Sequence, residues 1–459
     1  MTIMRSMELP VAGEGDGRSR RAVVLIHGIG EQRPTGTLRG FVDGLGVQPA
    51  WSKPDRVSDN LELRRMAVYQ PGELPTDLYE LYWAHHAPES SPVQVLAWMG
   101  RLLSRGRRWK GSPVAPLLAV VSLVAGLALI VAIAIAVVTT WQHGFRAWLT
   151  TPPFWVSLAV AMIQPLTRRV LTRRIADAER YLTPDPANIK ARNAIRAEGV
   201  ELLRRLHQAG LYDQLVVVGH SLGSVIGYDI LRLYWDEARH PTFEKVGPAP
   251  EAERFAIDFG NPLGLHRGEV EIFQHVQHRL WREQRARGVP WLVTDFVTLG
   301  SPLAHGSLIL DTPDASLTRR QDDLEFPTCP PMPSLNPAEV DDDREAAFYR
   351  TILRRGTQER EVLVGNHGAL FGPTRWTNLY FPVRHVLGGD LVAGPLAGVF
   401  GTGIRDVAVH HSGRIRPWWR RFSPVRAHVS YWAPLDRPIR TRAGTVEAVP
   451  ALRRVIGLG

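Results

Sequence analysis

The sequence predicts an α/β protein built on a doubly wound, mostly parallel sheet. Two short apolar runs, residues 22–26 and 215–218, are rich in β-branched residues and end in glycine-containing turns, which is typical of buried parallel strands. An amphipathic stretch follows the second run, and another amphipathic stretch, residues 187–209, precedes it. Strands that alternate with helices in this way indicate a parallel sheet with helices on both faces.

The length and composition fit one large domain with insertions, or two modest domains. The chain has 459 residues, of which 44% are hydrophobic and 22% charged, so extensive disorder is not expected. Its single cysteine, Cys329, cannot form an internal disulfide. Residues 1–21 lack the apolar stretch of a secretory signal and are expected to be a flexible tail.

The predicted domain falls into several segments. Further strands are expected at residues 79–83, 295–299, 375–382 and 407–410. The domain is expected to comprise residues 22–110 and 168–440, with insertions at residues 236–290 and 303–374, and to end in a C-terminal tail at residues 441–459.

A long uncharged segment separates the two parts of the domain. Residues 114–138 read VAPLLAVVSLVAGLALIVAIAIAVV, and about 25 apolar residues suffice to cross a hydrocarbon core of about 30 Å. A buried core helix rarely stays apolar on every face over this length. Residues 148–166 form a second, weaker apolar segment with prolines near both ends. We therefore expect residues 111–167 to form an inserted helical transmembrane hairpin.

Basic clusters flank this hairpin and account for much of the net charge of +10. They are Arg101, Arg105, Arg107, Arg108 and Lys110 before it, and Arg168, Arg169, Arg173 and Arg174 after it. The positive-inside rule then predicts a two-span protein of the cell membrane, in contact with membrane lipids, whose main domain is cytoplasmic. No basic region accompanies a recognisable nucleic-acid-binding motif, so a nucleic-acid partner is not expected.

Residues 219–223 read Gly-His-Ser-Leu-Gly between a predicted strand and a predicted helix. This order is typical of a nucleophile elbow, in which Gly219 and Gly223 leave room for a tight turn that exposes Ser221 at the edge of the sheet. The backbone N–H of Leu222 then points toward a developing oxyanion, assisted by the helix N-terminus. The alternative is a glycine-rich turn without chemistry.

Three segments resemble the lipase and esterase branch of the α/β-hydrolase superfamily: AVVLIHGIGEQ (residues 22–32), LVVVGHSLGSVIGYDIL (215–231) and DFVTLGSPL (295–303). The resemblance implies the α/β-hydrolase fold and a triad in the chain order serine, acid, histidine. It also implies a second oxyanion donor from the turn after the first strand. Here that turn is His27-Gly28-Ile29-Gly30, so the backbone N–H of Ile29 takes this role, and Gly28 and Gly30 form the turn.

The same resemblance suggests where the acid and the base lie. Superfamily members often place the acid in a loop after a late strand, and the loop after the predicted strand 375–382 contains Asp390 in the segment GGDLVAGP. Asp390 is therefore the first candidate, and Asp406 and Asp295 are the alternatives.

For the base, the first candidate is His428 in RAHVSYW, because the family places its histidine beyond the last strand, near the C-terminus. His410 and His411 are the alternatives. His220, beside the nucleophile, is expected to be a packing residue.

These residues together predict a serine hydrolase of the esterase or lipase type. Its Ser221–His428–Asp390 triad would cleave an acyl ester, such as a lipid, through an acyl-enzyme. A thioesterase, an acyltransferase and a catalytically inactive membrane scaffold are the alternatives.

The predicted chemistry needs no metal and no organic cofactor. The pairs His85-His86 and His410-His411 have no carboxylate at ligand spacing in the sequence, so no metal site is expected at either.

Overall fold

A nine-stranded sheet organises the chain in the computed structural model. The structure describes residues 19–28, 33–58, 60–86, 181–182, 186–259, 269–312, 314–333, 347–383, 389–390, 392–411, 427–432 and 445–459. The strands are β1 (Arg21–Ile26), β2 (Ala50–Pro54), β3 (Arg64–Val68), β4 (Thr76–Leu81), β5 (Gln214–His220), β6 (Val293–Leu299), β7 (Phe348–Arg355), β8 (Gln358–Gly365), β9 (Arg375–Tyr380), β10 (Arg405–His410) and β11 (Val446–Glu447).

Helices connect most of these strands. They are α1 (Gly36–Leu45), α2 (Pro186–Gln208), α3 (Leu222–Ala238), α4 (Pro250–Phe259), α5 (Val270–Ala286), α6 (Gly306–Ile309), α7 (Leu317–Asp322), α8 (Ala397–Phe400) and α9 (Ala448–Ile456). The predicted helix over residues 187–209 is thereby confirmed as α2, within one residue at each end.

The sheet order is β11-β10-β9-β6-β5-β1-β4-β3-β2. All pairs from β11 to β4 are parallel, and only the β4–β3–β2 edge is antiparallel. In the centre, Val24 of β1 lies between Tyr79 of β4 and Val217 of β5. The prediction of an α/β protein with a mostly parallel sheet is confirmed, and β7 and β8 form a separate antiparallel pair.

Apolar side chains cover both faces of the sheet. Ala22, Val24 and Ile26 of β1 contribute to one buried cluster, which also contains residues of α2, α3 and α5. Val23 and Leu25 contribute to the cluster on the opposite face, with residues of α1 and α9. Because successive side chains of a strand point to opposite faces, the continuous apolar run of β1 is what a central strand buried on both sides requires.

Two boundaries differ from the sequence expectation. Residues 441–459 were expected to form a tail, but β11 and α9 lie within them, and Val449, Leu452 and Ile456 are buried against the sheet. The expected insertion at residues 236–290 contains α5, whose Phe273 and Leu280 belong to the main core. With nine residues, α9 is shorter than the window of about 11–18 residues over which helical periodicity can be recognised in a sequence.

The predicted hairpin, residues 111–167, lies outside the described residues, as do the basic clusters that flank it. Among the residues that the structure describes, no helix combines the length and the apolar character needed to span a bilayer.

A buried ion cluster joins α2 to α3 beside the central strands. The carboxylate of Asp229 accepts hydrogen bonds from Tyr181 Oη at 2.8 Å, Arg196 Nε at 3.1 Å and Arg232 Nε at 2.9 Å. Burial alone would raise the pKa of Asp229, but the charges of Arg232 and Arg196 outweigh it and lower this pKa to about 2.

We expect this cluster to make the free energy of unfolding depend on pH in the acid range. The native pKa lies below the unfolded value of about 3.9, so the stabilisation is complete above about pH 4 and is lost as the pH falls toward 2. Asp229→Asn should therefore lose on the order of 2 kcal/mol of unfolding free energy at pH 6. This loss of unfolding free energy should become smaller as the pH falls toward the native pKa of Asp229. Urea titrations at several pH values would measure it.

Asp236→Asn is the matched control, since Asp236 lies on the same helix and pairs with Arg239 at an exposed position. Its unfolding free energy should follow the wild-type pH curve. If the Asp229→Asn curve runs parallel to that of the wild type from pH 6 to pH 2, the cluster does not contribute this pH dependence.

Candidate active site

Ser221 lies in a sharp turn between β5 and α3. Its backbone has φ 53° and ψ −127°, a combination that non-glycine residues rarely adopt. The turn is secured by the Ser221 N–H, which donates to the carbonyl of Leu299 in β6 at 2.9 Å. Such strain persists only where surrounding structure fixes it, and it is often found at reactive residues.

The glycines around this turn are required by close backbone approach. A Cβ at Gly219 would lie 2.5 Å from the Cα of Ser224, and a Cβ at Gly223 would lie 2.2 Å from the carbonyl oxygen of Ile26. A Cβ at Gly28, after β1, would lie 2.8 Å from the Cβ of Ser221. The HG turn after β1 and the G-x-S-x-G turn after β5 therefore pack directly against each other.

The structure brings Ser221, His428 and Asp390 into one hydrogen-bonded series. Ser221 Oγ lies 2.7 Å from His428 Nε2, and His428 Nδ1 lies 2.9 Å from Asp390 Oδ2. An ionised carboxylate only accepts hydrogen bonds, so Nδ1 carries the hydrogen and Nε2 presents its lone pair to the Ser221 hydroxyl. This is the arrangement that removes a proton from a serine.

Asp390 is fully buried and surrounded by donors. Besides His428, Tyr431 Oη donates to its Oδ2 at 2.9 Å and the Val392 N–H donates to its Oδ1 at 2.9 Å. Burial would raise the pKa of Asp390, but the hydrogen bond and charge of His428, with the Val392 and Tyr431 donors, lower it overall. The carboxylate is thus kept ionised at the position where it orients the imidazole.

Tyr431 was not identified from the sequence, although it lies only three residues after His428. Its hydroxyl accepts from the Phe381 N–H at 3.2 Å while donating to Asp390, so it ties the acid loop to the end of β9. Its position in HVSYW, close to His428, is the only signal in the sequence. The contact with the Asp390 carboxylate depends on the fold.

His220 does more than pack. Its Nε2 donates to the backbone carbonyl of His428 at 2.7 Å, and its ring makes an edge contact with Trp432, with centroids 4.8 Å apart. Burial, followed by the nearby His428, lowers the pKa of His220 to about 3, so this ring stays neutral. His220 therefore fixes the segment 427–432 that carries the imidazole.

The turn after β6 completes the support. Ser224 Oγ donates to the carbonyl of Ser221 at 2.6 Å and lies 2.6 Å from Ser301 Oγ. Gly300 has φ +60°, and a Cβ there would lie 3.0 Å from Asp390 Oδ2 and 3.2 Å from His428 Nδ1. The TLGSP turn thus needs glycine because the histidine–aspartate pair passes directly over it.

Of the two expected oxyanion donors, the structure describes one. Leu222 is the first residue of α3, where the backbone N–H groups have no partner within the helix and where the helix dipole favours negative charge. Ile29 and Gly30 lie outside the described residues. The preceding His27 is fully buried, stacks on Trp83 with centroids 5.0 Å apart, and accepts the Trp83 indole N–H at its carbonyl at 3.0 Å.

The alternative acids have structural partners instead. Asp406 accepts the N–H groups of Leu396 and Ala397, both at 2.9 Å, and so closes the loop around α8. Asp295, in β6, accepts from Arg375 Nη2 at 2.6 Å.

The alternative histidines likewise lie elsewhere. His410 Nδ1 lies 3.2 Å from Thr445 Oγ1, and His411 packs against the ring of Phe381 with centroids 4.4 Å apart. The structure places neither of them in the hydrogen-bonded series with Ser221.

Comparison with known proteins returned no relative. No protein-family model, no curated protein and no solved structure matches the chain. Any assignment of function therefore depends on the residues and their geometry.

Proposed function

We propose that the chain is a membrane-anchored serine hydrolase of the α/β-hydrolase superfamily that cleaves carboxylic esters. The observation that carries the proposal is the uninterrupted hydrogen-bonded series Ser221–His428–Asp390 at the carboxyl ends of the parallel strands. In open α/β sheets this edge is where ligands bind. The strained elbow at Ser221 and the glycines packed around it support the same reading.

The reaction follows from the positions of these groups. His428 Nε2 takes the hydroxyl proton of Ser221 as Oγ attacks the ester carbonyl, and Asp390 stabilises the imidazolium that forms. The C–O bond to the leaving alcohol then breaks, and the alcohol leaves with the proton from His428. Water, deprotonated by the same imidazole, hydrolyses the acyl-enzyme and returns Ser221 to its hydroxyl form. The N–H of Leu222 stabilises the oxyanion in both steps.

The proposed anchor is the hairpin at residues 111–167, on the strength of its uncharged apolar run and basic flanks. The pairing of β1 with both β4 and β5 adds support for an even number of crossings. Because β4 precedes the hairpin in the chain and β5 follows it, both flanks must lie on one side of a membrane. Such a tether would concentrate the site at a lipid surface, which favours an acyl lipid as the ester.

A fluorophosphonate probe tests the proposal. Such probes react with activated serines, so we expect covalent labelling of the purified full-length chain and no labelling of Ser221→Ala. Ser307→Ala is the matched control, because Ser307 is an exposed serine near the same edge and should be dispensable. Equal labelling of the wild type and Ser221→Ala, or no labelling and no ester turnover by either, would overturn the proposal.

A further inference from the structure

Two adjacent histidines and a distant glutamate meet just beyond the carboxyl end of β4. His85 and His86 lie in a short 3-10 turn, residues Ala84–His86, and Glu198 lies on α2. His86 Nε2 lies 2.6 Å and His85 Nε2 lies 3.5 Å from the same oxygen, Glu198 Oε2. The three residues can present one ligand atom each within 4.8 Å of one another.

These separations suit a tetrahedral metal ion. Zinc binds imidazole nitrogen and carboxylate oxygen at about 2.0–2.2 Å, which places neighbouring ligand atoms about 3.3 Å apart. The two histidine–glutamate separations, 2.6 and 3.5 Å, lie on either side of that value. Small side-chain rotations would therefore admit an ion between the three groups.

The charge around Glu198 supports a cation at this point. The other carboxylate of the same helix, Glu201, pairs with Arg204 and Arg205. Within the described part of the chain, the ion-pair partners of Glu198 are the two imidazoles alone. A divalent cation between the three groups would replace the His86–Glu198 hydrogen bond and be bound by the carboxylate and both imidazoles at once.

The ligands are held by well-anchored elements and remain open to solvent. The His86 N–H donates to the carbonyl of buried Trp83 at 3.0 Å, and the ring of His85 stacks on Tyr82 with centroids 5.5 Å apart. His85 and Glu198 also line a groove of about 530 Å³. Water can therefore reach the site and fill the fourth coordination position that three protein ligands leave vacant.

We propose that His85, His86 and Glu198 form a binding site for a divalent transition-metal ion of the Zn²⁺ type. Two imidazole nitrogens with one carboxylate favour such ions over Mg²⁺ and Ca²⁺, which prefer oxygen ligands throughout. The ion links the turn after β4 to α2, although Glu198 lies 112 positions after His86. The sequence predicts no metal site at this histidine pair because no carboxylate lies at ligand spacing nearby in the chain. Glu198 reaches the pair only through the fold.

Zinc titration of the purified full-length chain, prepared without a polyhistidine tag, tests the site. Competition with a metallochromic indicator should show one tight Zn²⁺ per chain. His86→Ala and Glu198→Gln should each weaken that binding by at least about tenfold, because each removes a direct ligand. Co²⁺ should give the visible absorption of a tetrahedral site in the wild type and lose it in both variants.

Glu201→Gln is the matched control, since Glu201 lies one turn further along α2 and lines the same groove without contacting a histidine. It should bind Zn²⁺ as the wild type does, and Zn²⁺ should raise the unfolding temperature of both but not of Glu198→Gln. Retention of wild-type affinity by Glu198→Gln, or an absence of stoichiometric Zn²⁺ binding by the wild type, would overturn the proposal. Neither result would bear on the chemistry of Ser221.

Discussion

His428→Ala should lower kcat for ester hydrolysis by about 10⁴- to 10⁶-fold, with KM nearly unchanged. The reason is that Nε2 of this imidazole, 2.7 Å from Ser221 Oγ, is the base that faces the hydroxyl in the structure. Without it, Ser221 must attack as a neutral alcohol, while binding of the ester is unaffected. Steady-state kinetics with a chromogenic short-chain ester would measure both constants.

His410→Ala is the control for this experiment. His410 is also a late histidine near the end of a strand, but the structure places its ring beside Thr445 rather than Ser221. It should retain kcat close to the wild-type value. A positioned general base contributes at least about 10²-fold, so a loss of less than about 10²-fold in His428→Ala would contradict its assignment as the base.

Asp390→Asn should lower kcat by about 10⁴-fold while the protein remains folded. The carboxylate accepts hydrogen bonds from His428 Nδ1, Tyr431 Oη and the Val392 N–H. An amide has about the same shape, but its NH₂ group cannot accept the Nδ1 hydrogen, so the imidazole is driven to the wrong tautomer. Kinetics and unfolding of the same preparation would separate the loss of activity from any loss of stability.

Asp406→Asn should show the opposite behaviour. Asp406 accepts two backbone N–H groups, from Leu396 and Ala397, so its replacement should cost on the order of 1–3 kcal/mol of stability. Its kcat should stay near the wild-type value at a temperature where the variant is folded. If Asp406→Asn loses as much kcat as Asp390→Asn, the choice between the two carboxylates is wrong.

The central strands could be predicted from the sequence because they are buried on both faces. The runs in β1 and β5 are almost purely apolar and end in glycine turns, and β6 and β9 follow the same rule less strongly. The antiparallel strands β2 and β3 cannot be predicted in this way, since their half-exposed residues, AWSKP and RRMAV, carry no regular apolar pattern. The polar hairpin of β7 and β8 was missed for the same reason.

The residues of the candidate site likewise differ in how far the sequence alone predicts them. Ser221 could be identified locally, because a strand, a G-x-S-x-G turn and a helix are contiguous in the sequence. Asp390 and His428 were predicted from the positions at which the resembled superfamily places its acid and base. The structure places His428 beside Ser221 and Asp390 beside His428. Supporting contacts such as that of Tyr431 with Asp390, or of Glu198 with His86, join segments that are far apart along the chain, so no local pattern could have revealed them.

The separation of Ser221 and His428 in the chain has a consequence during synthesis. The imidazole lies 207 positions after the serine hydroxyl, on a segment that rests against α1 and His220. A nascent chain that has already formed β5 and α3 therefore has an inert hydroxyl until residues 427–432 emerge and dock. If the proposed function is right, ester cleavage would begin only once this late segment has folded onto the sheet, so a partly synthesised chain would be inactive.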